Sequence, residues 1–202
     1  MLPGTAFRQM QITPFRIILS TCGILYVWSL PLLANLGFAQ PNSTSVSHFI
    51  SNPPATGAMA AVSFMPLTLM WEYQDFVLGM TGSKCARRLL YGSLTAFQFF
   101  YGCFLICTET YAPLWLHQTV VTLFGISFAA HGIMVMCMMT TSTCANVVLS
   151  IGMLAFASLL FVKGMAFWAF ECIALTSMLL FTPLLWYAYE PLADPLSEMV
   201  HI

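Results

Sequence analysis

Long apolar runs constrain the fold of this chain more than any other feature of its sequence. Stretches such as 147–162 and 174–185 are apolar on nearly every helical face, and only 6% of the 202 residues are charged. An ordinary soluble domain carries about 25% charged residues, so this composition cannot build a water-facing shell. In lipid, a helix satisfies its own backbone hydrogen bonds. We therefore expect an all-α, polytopic transmembrane helical bundle.

Polar breaks divide the apolar sequence into six segments, each near the ~20 residues that a bilayer-spanning helix requires. The predicted spans lie at about 17–36, 57–80, 89–107, 116–139, 146–162 and 165–187. Only Lys163 and Gly164 separate the last two spans. A single helix across both would extend ~60 Å, about twice the hydrocarbon thickness. We therefore expect a tight hairpin there, within one transmembrane domain that covers residues 1–202.

Basic residues indicate the orientation of this predicted bundle. Lys163 lies on one side, whereas the other five basic residues share the opposite side: Arg8, Arg16, Lys84, Arg87 and Arg88. Cytoplasmic flanks carry the excess of lysine and arginine, so both termini and the loop 81–88 are predicted to be cytoplasmic. Asn42 begins an Asn-Ser-Thr glycosylation sequon in the opposite-side loop, which agrees with this orientation. The plasma membrane or the endomembrane system is the expected location.

The overall charge and the motif content exclude several function classes. The net charge is −1, and the six basic residues form no contiguous soluble patch, so we expect no nucleic-acid partner. The seven cysteines do not suggest an extracellular disulfide framework. The sequence contains no glycine-rich phosphate loop, no HExxH, no CxxC and no GxSxG. An enzyme is therefore the less favoured expectation.

Ionisable residues inside predicted spans are costly and usually mark function or an interhelical pair. Glu72 and Asp75 are three residues apart and share one face of the second span. They either lie at the cytoplasmic headgroups or, with His131 at a similar depth, line a polar pathway. Glu171, in the sixth span, is expected to bond to a neighbouring helix or to pair with Lys163. These residues are candidates for a polar pathway or for partner binding.

A histidine pair on the fourth span suggests a haem alternative. His117 and His131 are fourteen residues apart, which places them about 21 Å apart on nearly the same helix face. Stacked haems use such spacing, but each iron also needs a second axial ligand. The remaining histidines are His48, in a loop, and His201, near the end of the chain. His117 is otherwise grouped with the polar-pathway or partner-binding candidates.

A methionine-rich run after His131 suggests a copper alternative. Soft thioether and thiol ligands select Cu(I), and Met134 and Met138 lie one helical turn apart beside Cys137. The chain contains 14 methionines, however, and methionine is also a common flexible packing residue. The leading expectation is that the protein holds no cofactor and no metal.

Three short motifs resemble the six-span damage-regulated autophagy modulator family. They are residues 49–54 (FISNPP) before the second span, Leu116-His117 at the start of the fourth and Phe170-Glu171 in the sixth. This family also includes relatives that act in GPI-anchor remodelling and in phosphoinositide-kinase recruitment.

The resemblance implies a membrane organiser or lipid-linked regulator, and it does not imply a defined reaction. His117 and Glu171 are the positions that match the family's pattern. The chain departs from that pattern at Asn52 and Ala55, where the family usually has acidic residues.

Three function classes follow from the sequence. The leading one is a non-enzymatic integral membrane protein that binds lipid or protein partners within the bilayer. One alternative is a small ion or proton channel or transporter that uses the intramembrane carboxylates. The other is a structural subunit of a larger membrane complex. Membrane lipids and other membrane protein subunits are the expected partners.

Overall fold

The computed structural model describes residues 4–62, 84–138 and 142–189, and every regular element in these ranges is an α-helix. The helices are α1 (Gly4–Asn35), α2 (Val46–Phe49), α3 (described over 53–62), α4 (Lys84–Ile106), α5 (Leu114–Met138), α6 (Thr143–Ser158) and α7 (Met165–Tyr189). The all-α prediction is confirmed for the described residues.

Among the described residues, three helical segments are long and apolar enough to cross a membrane: Ile17–Asn35, Lys84–Ile106 and Leu114–Met138. Thr143–Ser158 and Met165–Phe181 are also apolar but shorter. These lengths and compositions agree with a chain that associates with a membrane through its helices.

Three helices differ clearly from the predicted spans. Helix α1 already includes Gly4, whereas the predicted span starts near residue 17. Helix α4 already includes Lys84, inside the predicted loop 81–88, because lysine, alanine, arginine and leucine there all favour a helix. Helix α6 ends at Ser158 and not near 162. Residues 159–161 form tighter turns with hydrogen bonds to residues three earlier. Gly164, with a φ of +64°, then completes the predicted break before α7.

The connection from α1 to α3 folds back onto the bundle. Ser45 caps α2 by accepting a hydrogen bond from the His48 backbone N–H. Asn52 caps α3, since its Oδ1 accepts from the Ala55 N–H at 3.0 Å, and Pro53 occupies the first helical position. Four apolar residues of this connection are almost fully buried, Ala39, Val46, Phe49 and Ile50, whereas Leu36 and Phe38 at its start are exposed. Most of the connection after Phe38 therefore packs into the core.

Helices α4 and α5 pack antiparallel in one continuous register. Ser93 Oγ lies 2.9 Å from His131 Nδ1, and Cys107 O lies 2.6 Å from His117 Nδ1. Between these two contacts the helices bury a column of aromatic rings with centroids 5.3 to 6.4 Å apart: Phe97, Tyr101, Phe104, Phe124 and Phe128. Such ring pairs stabilise a packed interface beyond their buried area.

Glycines set the close approach of α5 to α6. A Cβ on Gly125 would lie 1.7 Å from the Phe156 ring, and one on Gly132 would lie 2.7 Å from Leu149. The two glycines are seven residues apart on α5, and their partners are seven residues apart on α6 in the opposite direction, so the two helices are antiparallel. Each glycine of α5 lacks a side chain and leaves space for a large side chain of α6.

Helix α1 lies against α7 through polar contacts within an apolar interface. Ser20 Oγ donates to the Leu179 carbonyl at 2.8 Å. Eight residues further along α1, Trp28 Nε1 donates to Thr176 Oγ1 at 2.9 Å. Side-chain hydrogen bonds of this kind stabilise helix pairs in apolar surroundings. They bring the end of α1 beside the start of α7, where the candidate site lies.

Candidate functional site

Three chain connections meet at one end of the bundle, which we call the loop end: residues 36–52, 107–113 and 159–164. The antiparallel packing of α4 on α5 and of α1 on α7 requires this arrangement. Polar side chains from these connections and from the adjoining helix ends therefore lie close together there, although they are distant in sequence.

Glu109, in the α4–α5 connection, is the centre of a polar cluster at the loop end. Its Oε1 accepts a hydrogen bond from Ser47 Oγ at 3.3 Å and lies 3.7 Å from His117 Nε2. Its Oε2 lies 3.9 Å from His48 Nδ1. We call these four residues the Glu109 cluster. It places one carboxylate between two imidazole rings and a hydroxyl group.

Exposure within the Glu109 cluster decreases from the outside inward. The side chains of His48 and Glu109 are 42% and 28% exposed, whereas that of His117 is 4% exposed. Ser47 is also buried. The cluster is therefore a polar recess, with His48 and Glu109 at its mouth and His117 and Ser47 in its wall.

The hydrogen bond of His117 to the backbone determines which nitrogen faces Glu109. A carbonyl oxygen only accepts, so His117 Nδ1 carries a proton and donates to Cys107 O. In the neutral ring, Nε2 is then an acceptor that faces the Glu109 carboxylate. A hydrogen-bond donor located between these two groups would satisfy both of them.

The order of groups in the Glu109 cluster does not fit nucleophilic catalysis by serine. In a serine triad, the imidazole lies between the hydroxyl and the carboxylate and takes the proton from the hydroxyl. Here Glu109 lies between Ser47 and His117. The arrangement can bind and orient a polar group, but it does not present Ser47 to a histidine base.

Glu171 lies beside this cluster, near the start of α7. Its Oε2 accepts a hydrogen bond from the Val46 N–H at 2.5 Å, and the residue is 9% exposed. Its carboxyl group is also close enough to that of Glu109 for the two to interact electrostatically. The polar recess thus holds two carboxyl groups at slightly different depths.

An apolar cleft extends from Glu171 between the α4–α5 pair and the α6–α7 pair. The cleft opens partly to the exterior of the bundle, and its space together with the open region at its mouth measures about 450 Å³. Glu171 is the single ionisable residue among the described residues of its wall. The others are Val46, Phe104, Val121, Phe124, Gly125, Phe128, Phe156, Leu159, Ala174, Leu175 and Met178. Binding sites for small molecules usually combine such an apolar wall with a few polar groups.

Consecutive residues of α2 contact the cleft and the Glu109 cluster. Val46 lines the cleft and donates its N–H to Glu171, and the next residue, Ser47, donates its hydroxyl to Glu109. The two features therefore lie on neighbouring positions of α2, and we call them together the cleft site.

The structure brings together two of the sequence-predicted residues, His117 and Glu171, at the loop end. His131 lies elsewhere on α5, where it contacts Ser93 of α4. Glu72 and Asp75 fall outside the described residues.

Asn42 is exposed at the loop end in a left-handed turn with a φ of +58°. Glu171 bonds to the α2 backbone, whereas Lys163, its other expected partner, is exposed on the turn before α7.

The haem and copper alternatives gain no support from the geometry. Within the described ranges, no three histidine, cysteine or acidic side chains lie so that they could hold a metal ion. His117 and His131 contact different polar groups of α4 and its following loop, Cys107 O and Ser93 Oγ. Each ring thus has a packing contact that accounts for its position.

Sequence reasoning missed Ser47 and Glu109 and considered His48 only as a haem ligand. Glu109 offered one signal, since it is the single acidic residue in the predicted loops on the side opposite the cytoplasm. Ser47 and His48 follow the sequon by only a few residues and carried no signal of their own. Their meeting with Glu109 depends on how the connection 36–52 folds.

Comparisons of the chain with family models, with curated proteins and with solved structures found no match, so the resemblance to the damage-regulated autophagy modulator family stays a prediction.

Proposed function

We propose that this chain is a six-span integral membrane protein that binds a lipid molecule within its helix bundle and acts as a membrane organiser or regulator. In this proposal both termini lie in the cytoplasm, and the loop end faces the lumen or the cell exterior. The distribution of the basic residues supports that orientation. The protein then resides in the plasma membrane or in the endomembrane system.

The observation that supports lipid binding is that an apolar cleft and a polar recess lie on neighbouring residues of α2. The cleft is lined mainly by aromatic and aliphatic side chains, as small-molecule sites usually are. An acyl chain would pack against the aromatic and aliphatic wall, while the head group would reach Glu109 and His117. A lipid is the molecule of a bilayer that combines these two parts.

Binding without catalysis is the simplest role for this site. Within the cluster the Ser47 hydroxyl contacts the Glu109 carboxylate and not an imidazole ring. The transport alternative relies on Glu72 and Asp75, which are outside the described residues. The cleft therefore favours lipid binding over transport, and the same surface could present the bound lipid to a protein partner.

Photocrosslinking in vesicles would test this function. The protein is reconstituted in phosphatidylcholine vesicles that contain a trace of a monoacylglycerol with a diazirine in its acyl chain. After irradiation, mass spectrometry maps the labelled residues. We expect labelling of cleft residues such as Val121 and Met178, and competition by excess unlabelled monoacylglycerol.

A matched pair of alanine substitutions on α7 provides the control. Ala174 lines the cleft, whereas Ala166 is exposed. Ala174→Phe should fill the cleft and remove the competed label there, whereas Ala166→Phe should leave it unchanged. Labelling restricted to outward faces of the wild-type protein, without competition, would overturn the proposal even if Ala174→Phe does not fold.

A further inference from the structure

Three cysteines lie at the end of the bundle opposite the loop end. Cys85 is in the first described turn of α4, Cys137 is in the last described turn of α5, and Cys144 is in the first turn of α6. All three side chains are exposed, and each is a free thiol. We call them the end cysteines.

The contact between Ser93 and His131 places two of these thiols at one depth. The two side chains meet at 2.9 Å and so mark one level of the antiparallel pair α4 and α5. From that level, Cys85 is eight residues away along α4, or about 12 Å. Cys137 is six residues away along α5 in the same direction, or about 9 Å. The two cysteines therefore differ in depth by only about 3 Å.

The packing of Gly132 against Leu149 gives the depth of the third thiol. These two residues mark one level of the antiparallel pair α5 and α6. Cys137 is five residues beyond Gly132, and Cys144 is five residues before Leu149. Both therefore lie about 8 Å from that level, in the same direction. All three end cysteines thus share one level, although they belong to three helices.

An exposed aliphatic side chain lies one helical turn inward from each end cysteine. These side chains are Leu89 on α4, Ile133 on α5 and Val147 on α6, and each is between 44% and 52% exposed. Residues three or four apart share one face of a helix. Each thiol therefore adjoins an outward apolar surface that leads toward the middle of the bundle. A hydrocarbon chain attached to the sulfur would lie along this surface, in the bilayer of the proposed orientation.

Basic side chains accompany the thiol of α4. Lys84 and Arg88 are both exposed within three positions of Cys85, and in the proposed orientation this end of the bundle faces the cytoplasm. Positive charge at this level attracts an anionic reagent such as a coenzyme A thioester, which carries phosphate groups. Cytosolic thiols are kept reduced, so the end cysteines stay available for such a reagent instead of forming disulfides.

We propose that the end cysteines are sites of S-acylation by a long-chain acyl-coenzyme A. The cysteine sulfur, after giving its proton to a base of a cellular acyltransferase, attacks the acyl carbonyl carbon. A thioester bond forms between the cysteine sulfur and that carbon, and the bond from the carbon to the sulfur of coenzyme A breaks. Coenzyme A leaves as a thiol with the released proton. Cysteines beside the membrane surface are the usual positions of this modification. The proposal rests on the proposed orientation and not on lipid binding in the cleft.

Thioester exchange on the full chain, expressed in cultured eukaryotic cells, tests this modification. Free thiols are first blocked with N-ethylmaleimide, neutral hydroxylamine then cleaves thioesters, and a maleimide-linked polymer tags each thiol that is released. We expect a hydroxylamine-dependent shift of at least one tag per chain, and metabolic labelling with an alkynyl fatty acid should mark the same protein. A wild-type protein without a hydroxylamine-dependent shift would overturn the proposal.

Substitutions of the cysteines assign the modified thiols. The triple variant Cys85→Ser, Cys137→Ser and Cys144→Ser should lose the whole shift. Cys22→Ser is the matched control, because Cys22 is also exposed but lies five residues inside the segment Ile17–Asn35, and it should keep the shift. A shift that persists in the triple variant, or that disappears in Cys22→Ser, would overturn the proposal. If the triple variant does not fold, mass spectrometry of the wild-type protein labelled with the alkynyl fatty acid locates the acylated cysteines instead.

Other measurements separate failure of this proposal from failure of the proposed function. Glycosylation at Asn42 reports on the orientation alone, and photolabelling of the cleft reports on lipid binding alone. A chain that is glycosylated at Asn42 but carries no thioester has the proposed orientation, and only the acylation proposal is then wrong. A chain with neither modification would contradict both the orientation and the acylation proposal.

Discussion

His117 Nε2 lies 3.7 Å from Glu109 Oε1, and the opposite ring nitrogen donates to the Cys107 carbonyl at 2.6 Å. The buried ring thus links the end of α4 to the start of α5 and also forms the inner wall of the Glu109 cluster. One residue serves both the packing of the helix pair and the chemistry of the candidate site.

Removal of this ring should destabilise the protein. His117→Ala leaves the Cys107 carbonyl without that donor and opens a cavity at a side chain that is 4% exposed, so the free energy of unfolding should fall by about 1–3 kcal/mol. His48→Ala is the control, because its side chain is 42% exposed, and its effect should stay within about 0.5 kcal/mol. Thermal unfolding in one detergent compares the two variants. Equal losses of stability would show that His117 has no special packing role.

The close approach of α5 to α6 should depend on Gly125. Gly125→Leu would place side-chain atoms in the volume of the Phe156 ring, and overpacking of this kind costs about 1–3 kcal/mol. The double variant with Phe156→Ala should recover part of that loss, because the two positions share one space. Gly92→Ala is the control, since a Cβ there meets no atom within 4 Å. Gly125→Leu with wild-type stability would contradict the observed packing.

The sequon at Asn42 should be glycosylated if the loop end faces the lumen. Asn42 and Thr44 are both exposed. Synthesis in the presence of microsomes should yield a heavier form that an endoglycosidase converts back. Thr44→Ala should abolish that form because it destroys the sequon, whereas Ser43→Ala keeps an Asn-X-Thr sequence and should retain it. A single unglycosylated form in both variants and in the wild type would count against the predicted orientation.

The cap of α3 should tolerate an acid but not an alanine. Asn52 Oδ1 accepts the Ala55 N–H at 3.0 Å, and loss of such a cap costs about 1 kcal/mol. Asn52→Ala should therefore lower the midpoint of thermal unfolding. Asn52→Asp should preserve it, because aspartate caps helices equally well. A large loss in the aspartate variant would indicate that the amide group has another role, such as its contact with the Phe38 carbonyl.

Local features of the structure were predictable from the sequence. The apolar runs predicted helices close to the observed α5 and α7 and to the C-terminal part of α1, because length and hydropathy are properties of a continuous segment. The break around Lys163 and Gly164 was also predictable, since a glycine with positive φ commonly ends a helix. The helical conformation of residues 84–88 was not predicted, because a boundary based on hydropathy marks where apolar residues begin and not where the helix begins.

The candidate site shows what only the tertiary structure decided. Sequence reasoning identified His117 and Glu171 as notable, but it did not bring them together or add Glu109 and Ser47. Glu171 meets the Val46 backbone across 125 positions of the chain, and no local pattern encodes such a contact. The sequence established lipid as the expected solvent and helices as the response to it. The cleft and its polar recess exist because antiparallel packing carries distant connections to the same end of the bundle.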